Sequence, residues 1–225
     1  MKIFGLYILL SLLTRNPLLA LFILLLVFFI AERRFVGILP DIFRPWRQAN
    51  RVRQLKREVG INPANAEAYL ELGEAYFRQG KYKDAASFLE NASSKMAGHP
   101  LFHFYLGTSY YHLGKLIDGK REIEKAIEAN PKVCFGEPYL YLVRIYRDEK
   151  RPDAEIEQAC DKLLQYGSPG TFYQAGTMFL SFHEKERAQR LFRETIENYE
   201  ACRGPLRRAY RRWALLSKIA MTRTK

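Results

Sequence analysis

Displaced by 34 residues against itself, the chain brings five identities into register. Leu72, Gly73, Tyr76, Gly80 and Ala92 fall on Leu106, Gly107, Tyr110, Gly114 and Ala126. A period of this length marks a supersecondary unit that cannot bury its apolar face alone and stacks on copies of itself. The apolar and small residues inside each unit are spaced three and four apart, which predicts paired helices and an all-α chain. Small residues where two helices cross let the backbones meet, while the aromatics and leucines fill the layers between successive units.

The stretch AYLELGEAYFRQGKYKDAASFLENA, residues 68–92, resembles the tetratricopeptide repeat family nearly throughout. Tyr69, the Leu72-Gly73 pair, Tyr76, Gly80, Tyr82, Ala85, Leu89 and Ala92 carry the resemblance. The copy over 103–131 matches with one departure, Gly119 standing where a small Ala is usual. A glycine there still permits close approach and costs up to ~1 kcal/mol of helix propensity. In a third copy Tyr139, Leu142, Val143 and Tyr146 occupy the first helix, but Pro152 and Glu155 replace the aromatic and the alanine of the second. A fourth, one residue out of phase, recovers Phe172, Gly176, Phe179, Ala188 and Phe192. The resemblance implies an all-α, right-handed solenoid of helix-turn-helix repeats over 61–202, at about 66–99, 100–133, 136–168 and 169–202. INPAN (61–65) resembles a repeat-closing loop, so the helix before it, with Val52, Leu55 and Val59 on one side, is expected to cap the array.

In such a solenoid the first helix of each repeat lines the concave wall. Carried over position by position, the family's peptide-binding groove falls on Leu70, Glu74, Phe77 and Arg78, then on Phe104, Thr108, Tyr111 and His112. The later repeats add Leu140, Arg144, Arg147 and Asp148, then Tyr173, Thr177 and Leu180. This wall, aromatic and aliphatic with a few charges, resembles a site for an extended or helical peptide with apolar anchors. It does not resemble the carboxylate clamp of chaperone-tail binders, which places Lys and Asn where Leu70 and Glu74 stand.

The N-terminus constrains location. From Ile3 to Ala31 the strongly polar positions are Arg15 and Asn16. One helix over those 29 residues reaches about 43 Å, beyond the ~30 Å hydrocarbon core, and puts Arg15 near the centre at a cost of about 3 kcal/mol. Asn16-Pro17 reads instead as N-cap and first turn of a second helix. The segment 1–35 is therefore expected to be a membrane anchor, either two short apolar helices broken at 14–17 or one kinked span. A signal peptide is disfavoured, since no small-residue cleavage site follows the first apolar run.

A basic segment follows over 36–60. Arg33, Arg34, Arg44, Arg47, Arg51 and Arg53 are expected to contact the anionic membrane surface and to keep the repeats on the cytoplasmic side. The order of anchor, basic flank and repeats is similar to that of small bacterial membrane-anchored tetratricopeptide proteins, which implies the bacterial plasma membrane.

The formal net charge of +12 is carried by the two ends. Residues 1–60 hold ten Lys and Arg against three acids, 203–225 hold eight against none, and the middle is slightly acidic. That disfavours a nucleic-acid surface spread over the fold. The final segment, 203–225, is expected to be a basic amphipathic capping helix. Cys134, Cys160 and Cys202 are isolated, with no zinc spacing. His99 and His103 are four apart, but Pro100 between them is expected to start a helix that leaves His99 outside. No catalytic or phosphate-binding motif is present. The expectation is a non-enzymatic protein with no cofactor, no metal and no small-molecule substrate, acting as a membrane-anchored adaptor for a protein or peptide partner. Two alternatives stay open, an assembly factor of an integral membrane complex and an extracytoplasmic chaperone-like module.

Overall fold

A computed structural model describes residues 2–31 and 44–223. Arg33, Arg34 and the start of the basic segment lie outside the described residues. Within them the chain forms twelve α-helices and no strand.

The first two helices, α1 (Lys2–Thr14) and α2 (Pro17–Ala31), pack against each other. Arg15 between them has φ 48°, and the Asn16 side chain accepts from the Leu18 and Leu19 amides at 3.0 and 3.3 Å. The asparagine thus satisfies two of the donors that a helix start leaves open. Leu12, Leu13, Leu18 and Phe22 are 73, 82, 77 and 63% exposed. No described helix is long and apolar enough to cross a membrane.

Helix α3 (Arg44–Ile61) packs on α4 (Ala66–Arg78), burying Leu55 with Leu72, Tyr76 and Ala85. Three further hairpins follow the one that α4 makes with α5 (Tyr82–Met96). They are α6 (Pro100–His112) with α7 (Leu116–Ala129), α8 (Glu137–Asp148) with α9 (Asp153–Tyr166), and α10 (Pro169–Ser181) with α11 (Lys185–Ala201). The final helix, α12 (Gly204–Thr222), packs on α10 and α11. Each first helix also touches the next one along, α4 on α6, α6 on α8 and α8 on α10, so one apolar core runs from Ala66 to Ala220. This is an all-α repeat solenoid.

In three of the four hairpins the helices meet at a residue without a side chain. A methyl group on Gly73 would sit 2.4 Å from Leu89 Cγ, and one on Gly176 would sit 2.6 Å from the Phe192 ring. The second hairpin is tighter, because a methyl on Gly107 would lie 2.8 Å from the Gly119 carbonyl oxygen. Gly119 therefore does there what a methyl-bearing alanine cannot. In the third hairpin Val143 holds the glycine position, fully buried.

All four hairpins turn through one left-handed residue, Gly80, Gly114, Lys150 and His183, with φ of 74, 77, 53 and 63°. In each, the amide after that residue reaches back to the helix: Lys81 to the Tyr76 carbonyl, Lys115 to Tyr110, Arg151 to Tyr146 and Glu184 to Phe179, all at 2.8–3.0 Å. The geometry is repeated even where the glycine is not, so the last two turns carry strain that the first two avoid.

Between the second and third hairpins the chain makes a 3-10 turn, Val133–Gly136, in which Cys134, Phe135 and Gly136 all have positive φ. A methyl on Gly136 would lie 2.8 Å from the Gly167 backbone, so this turn is wedged against the end of α9. Pro100 opens α6, and His99 before it is extended. His103, buried, has Nδ1 2.6 Å from Glu122 and Nε2 2.6 Å from the Ala97 carbonyl, tying the start of α6 to α7 and to the end of α5.

Replacing Lys150 by Gly should raise stability by about 1 kcal/mol, and Gly114→Ala should lower it by a similar amount. Gly107→Ala should cost about 1–3 kcal/mol through overpacking. The shift of the urea midpoint, followed by far-UV circular dichroism, measures all three.

Candidate functional site

The first helices of the first three hairpins bring their aromatic residues together along one wall. Phe77 at the end of α4 lies 5.5 Å from the Tyr105 ring and 6.2 Å from the His112 ring, both on α6. His112 stacks on Tyr82 at 3.9 Å with the planes 8° apart, and its Nε2 is 3.2 Å from the Tyr141 hydroxyl on α8. The Tyr111 hydroxyl donates to Asp148 at 3.0 Å, linking the ends of α6 and α8. Arg144 lays its guanidinium 5.3 Å over the Tyr141 ring, and its Nε is buried with no hydrogen-bond partner among the described residues.

Charge rims this aromatic patch. Glu74 and Arg78 pair at 2.6 Å on α4, beside a cleft of about 310 Å³ that α3 closes with Gln48 and Arg51. Arg51 itself pairs with Glu71 at 2.6 Å. Farther along, Arg147 pairs with Glu184 and lies 4.4 Å over the Phe182 ring. Burial pushes the Tyr111 hydroxyl up to about 12, with the Asp148 hydrogen bond adding to it. Burial likewise raises Tyr105 and Tyr141, so these phenols stay protonated donors. Burial pushes the half-buried Cys134 thiol up to about 12 as well, which disfavours the thiolate near neutral pH. Burial raises Glu137, against the pull of Arg78 and Arg144.

The groove positions carried over from the repeat pattern divide into two groups. Phe77, Tyr111, His112 and Arg144 meet on the wall, with Glu74, Arg78 and Arg147 at its rim and Leu70 half-buried beside it. Phe104, Thr108 and Leu140 do not reach the surface, being 1, 0 and 1% exposed, although the Phe104 ring packs beneath the cluster, 6.5 Å from Phe77 and 6.1 Å from Tyr141. They face the neighbouring first helices, and the Thr108 hydroxyl is spent on the Phe104 carbonyl at 2.8 Å. Tyr173 packs 5.5 Å from Trp213 of α12, so the C-terminal helix covers that end of the groove. Thr177 bonds its own helix, at the Gln174 carbonyl. Tyr82, Tyr105 and Tyr141 join the cluster although the groove pattern does not include them. Tyr82 matches the repeat pattern as the residue opening the second helix, but nothing in its spacing points it at His112. Of the residues expected at the membrane surface, Arg44 opens α3, and Arg47, Arg51 and Arg53 follow on the same helix. Among the described residues no group of three or more His, Cys, Asp or Glu is placed to hold a metal ion.

Burial, and then the Arg144 charge, hold His112 below its usual 6.5. The unfolded chain therefore takes up a proton at this residue at higher pH than the folded chain does. The stability that neutral His112 contributes is complete above 6.5 and is lost as pH falls below it. Glu137 runs the other way, its raised value removing stability as pH climbs past 4.5. In His112→Gln, the fall of the urea midpoint between about pH 7 and about pH 5.5 should be smaller than in the parent.

Residues 52–103 match the family model for the tetratricopeptide repeat, a span that runs from α3 into α6. Among curated proteins, a BBSome complex member BBS4 homolog from Drosophila melanogaster is 22% identical over 166 residues, 67% of this chain and 33% of the fly protein. Hsp70-Hsp90 organizing protein 3 from Arabidopsis thaliana is 26% identical over 98 residues, 43% of this chain and 18% of that protein. The chain thus spans a third or less of the curated relatives it matches. Among solved structures, a thermophilic TPR protein of Thermus thermophilus superposes with a TM-score of 0.57 at 17% identity, covering 77% of this chain and 94% of that one. MamA superposes with a TM-score of 0.54 at 20% identity, covering 72% and 97%. The family-model match thus covers residues 52–103, and the chain shares the all-α repeat-solenoid fold of these structures.

Proposed function

We propose that this protein is a membrane-tethered adaptor that holds a peptide segment of a protein partner against the wall formed by Phe77, Tyr111, His112 and Arg144. The observation that carries this reading is the Arg144 guanidinium, stacked on Tyr141 with a buried Nε that lacks a partner among the described residues, within a cluster of half-buried aromatic rings. Aromatic rings supply contact area at low entropic cost, and a guanidinium whose donors are not all satisfied within the fold can donate to a ligand carbonyl or carboxylate. The wall has no activated nucleophile, and its role is recognition without catalysis. The proteins named above, one a member of the BBSome complex and one an organizer of Hsp70 and Hsp90, are consistent with an organising role.

Tethering rests on α1 and α2. Both are apolar all round, and such helices need apolar surroundings on every side. At about 20 and 23 Å they fall short of a ~30 Å core, so the pair enters the bilayer as a hairpin or spans it where it is thinned. The basic residues that follow favour the cytoplasmic side of a bacterial plasma membrane for the repeats, with Arg44, Arg47, Arg51 and Arg53 near the headgroups.

A photo-crosslinking amino acid at residue 111 in the full chain tests the groove, with one at residue 117 as the control because Ile117 is 74% exposed on α7. Residue 111 should capture a discrete partner that residue 117 does not, and Arg144→Gln or Phe77→Ala should reduce capture by about tenfold or more. Equal capture at both positions would count against the groove. Loss of every partner when residues 2–31 are deleted would favour the assembly-factor reading instead.

A further inference from the structure

We infer that the outward face of α12 is a second contact with the membrane, seated on anionic lipid headgroups. One side of this helix is committed to the solenoid. Ala214, Ser217 and Ala220 are 2, 0 and 8% exposed, and Trp213 lies against Gly170 and Tyr173. At 100° per residue the opposite side is centred on Arg208, Leu215 and Ile219, with Arg212 on one flank and Arg211 and Lys218 on the other. Leu215 and Ile219, four residues apart, are 42 and 47% exposed, and Arg208, Arg212 and Lys218 around them are exposed too.

A cap that only closed the array would need neither feature. The outer face of a terminal helix is expected to be polar, because its task is to end the apolar stack. Here two branched apolar side chains stand in the middle of it. The charge is no better suited to the helix itself. The first turn holds no acid, and the arginines at 203, 207 and 208 sit at the end where the backbone dipole repels cations. Lys218 meets Glu200 at 3.7 Å with both side chains more than half exposed, a pairing that contributes little. Arg207 lies 5.1 Å over the Tyr199 ring and Arg212 5.2 Å over Trp213, contacts that leave the positive charge uncompensated, and with eight basic residues and no acidic one over 203–225 that charge suits an external anion.

The combination selects the anion. A helix with branched apolar residues along a cationic face lies in the bilayer interface, the apolar groups reaching the acyl boundary and the cations meeting phosphates. A nucleic acid would use the charge but leave Leu215 and Ile219 in water, and it would call for exposed stacking aromatics that this face lacks.

The test uses the full chain in bilayers of phosphatidylcholine, alone or with roughly three-tenths phosphatidylglycerol, and follows amide hydrogen exchange by mass spectrometry. Peptides from 204–222 should exchange at least about fivefold more slowly with the anionic lipid, the factor corresponding to one surface cation. High salt should weaken the protection. Arg208→Gln with Arg212→Gln, and Leu215→Ser with Ile219→Ser, should each abolish it while the thermal midpoint stays put, since all four side chains are exposed. Equal exchange in the two lipids overturns the inference, as does protection that appears on adding RNA or an acidic protein and not with phosphatidylglycerol. Slow exchange of α1 and α2 in both lipids reports the N-terminal tether separately, so the two ideas fail independently.

Discussion

The close crossing of the two helices in the first, second and fourth hairpins is the contact on which most of the solenoid depends. Where Gly73 meets Leu89, Gly107 meets Gly119 and Gly176 meets Phe192, the backbones approach to a distance that a methyl group would prevent. That approach lets Leu89, Ile123 and Phe192, all fully buried, reach across the pair and into the core. It also orients each hairpin so that its first helix touches the next first helix, which is what forms a continuous wall. Without the crossing there would be helices but no register between them.

The repeat was legible because this crossing leaves a mark in the residue types, and it faded where the mark is replaced. In the first two hairpins the crossing and the turn both use glycine, so a shift of 34 residues superposes them. In the third, Val143 fills the crossing, Lys150 takes the left-handed turn, and the turn at Cys134 and Phe135 breaks the period. The physical requirements did not change, for Lys150 and His183 adopt the same backbone that Gly80 and Gly114 adopt. What changed is that tertiary packing now imposes a geometry the local residues would not choose. The third copy, degenerate as sequence, keeps the turn geometry of the others but not their close crossing.

The wall was less legible than the fold, for a related reason. A repeat pattern assigns faces to an isolated hairpin, but α6 and α8 are flanked by first helices on both sides. Phe104, Thr108 and Leu140 share a face with groove residues, yet those neighbours enclose them. Tyr105 and Tyr141, one position farther round, are drawn into contact with Phe77 and His112. Tyr82 reaches the same cluster from the start of the second helix, a place that a pattern built on first helices passes over. The repeat resemblance therefore pointed to the first helices, while the packing between repeats decided which of their residues lie in the aromatic cluster and which are enclosed.

The distribution of charge makes a further point about how such an array is used. The middle of the chain, where the repeats stack, is nearly neutral, and several of its arginines are matched within networks such as Arg187 with Glu157 and Glu184, or Arg190 with Glu157 and Asp161. Internal matching of this kind lets hairpins stack without mutual repulsion. The ends are not matched in composition, with ten basic residues against three acids over 1–60 and eight against none over 203–225. A solenoid has two ends and one wall, and its stacking surfaces are already spent on its own repeats. The excess charge has thus been placed where it does not disturb stacking, on the flank that follows α1 and α2 and on the outward face of α12. A partner held on the aromatic wall and a negatively charged surface met by the ends would not compete, because they call on different residues. In the proposed roles Arg144 and its neighbours would discriminate by geometry, whereas the terminal arginines would act through summed charge, which is sensitive to salt and indifferent to orientation.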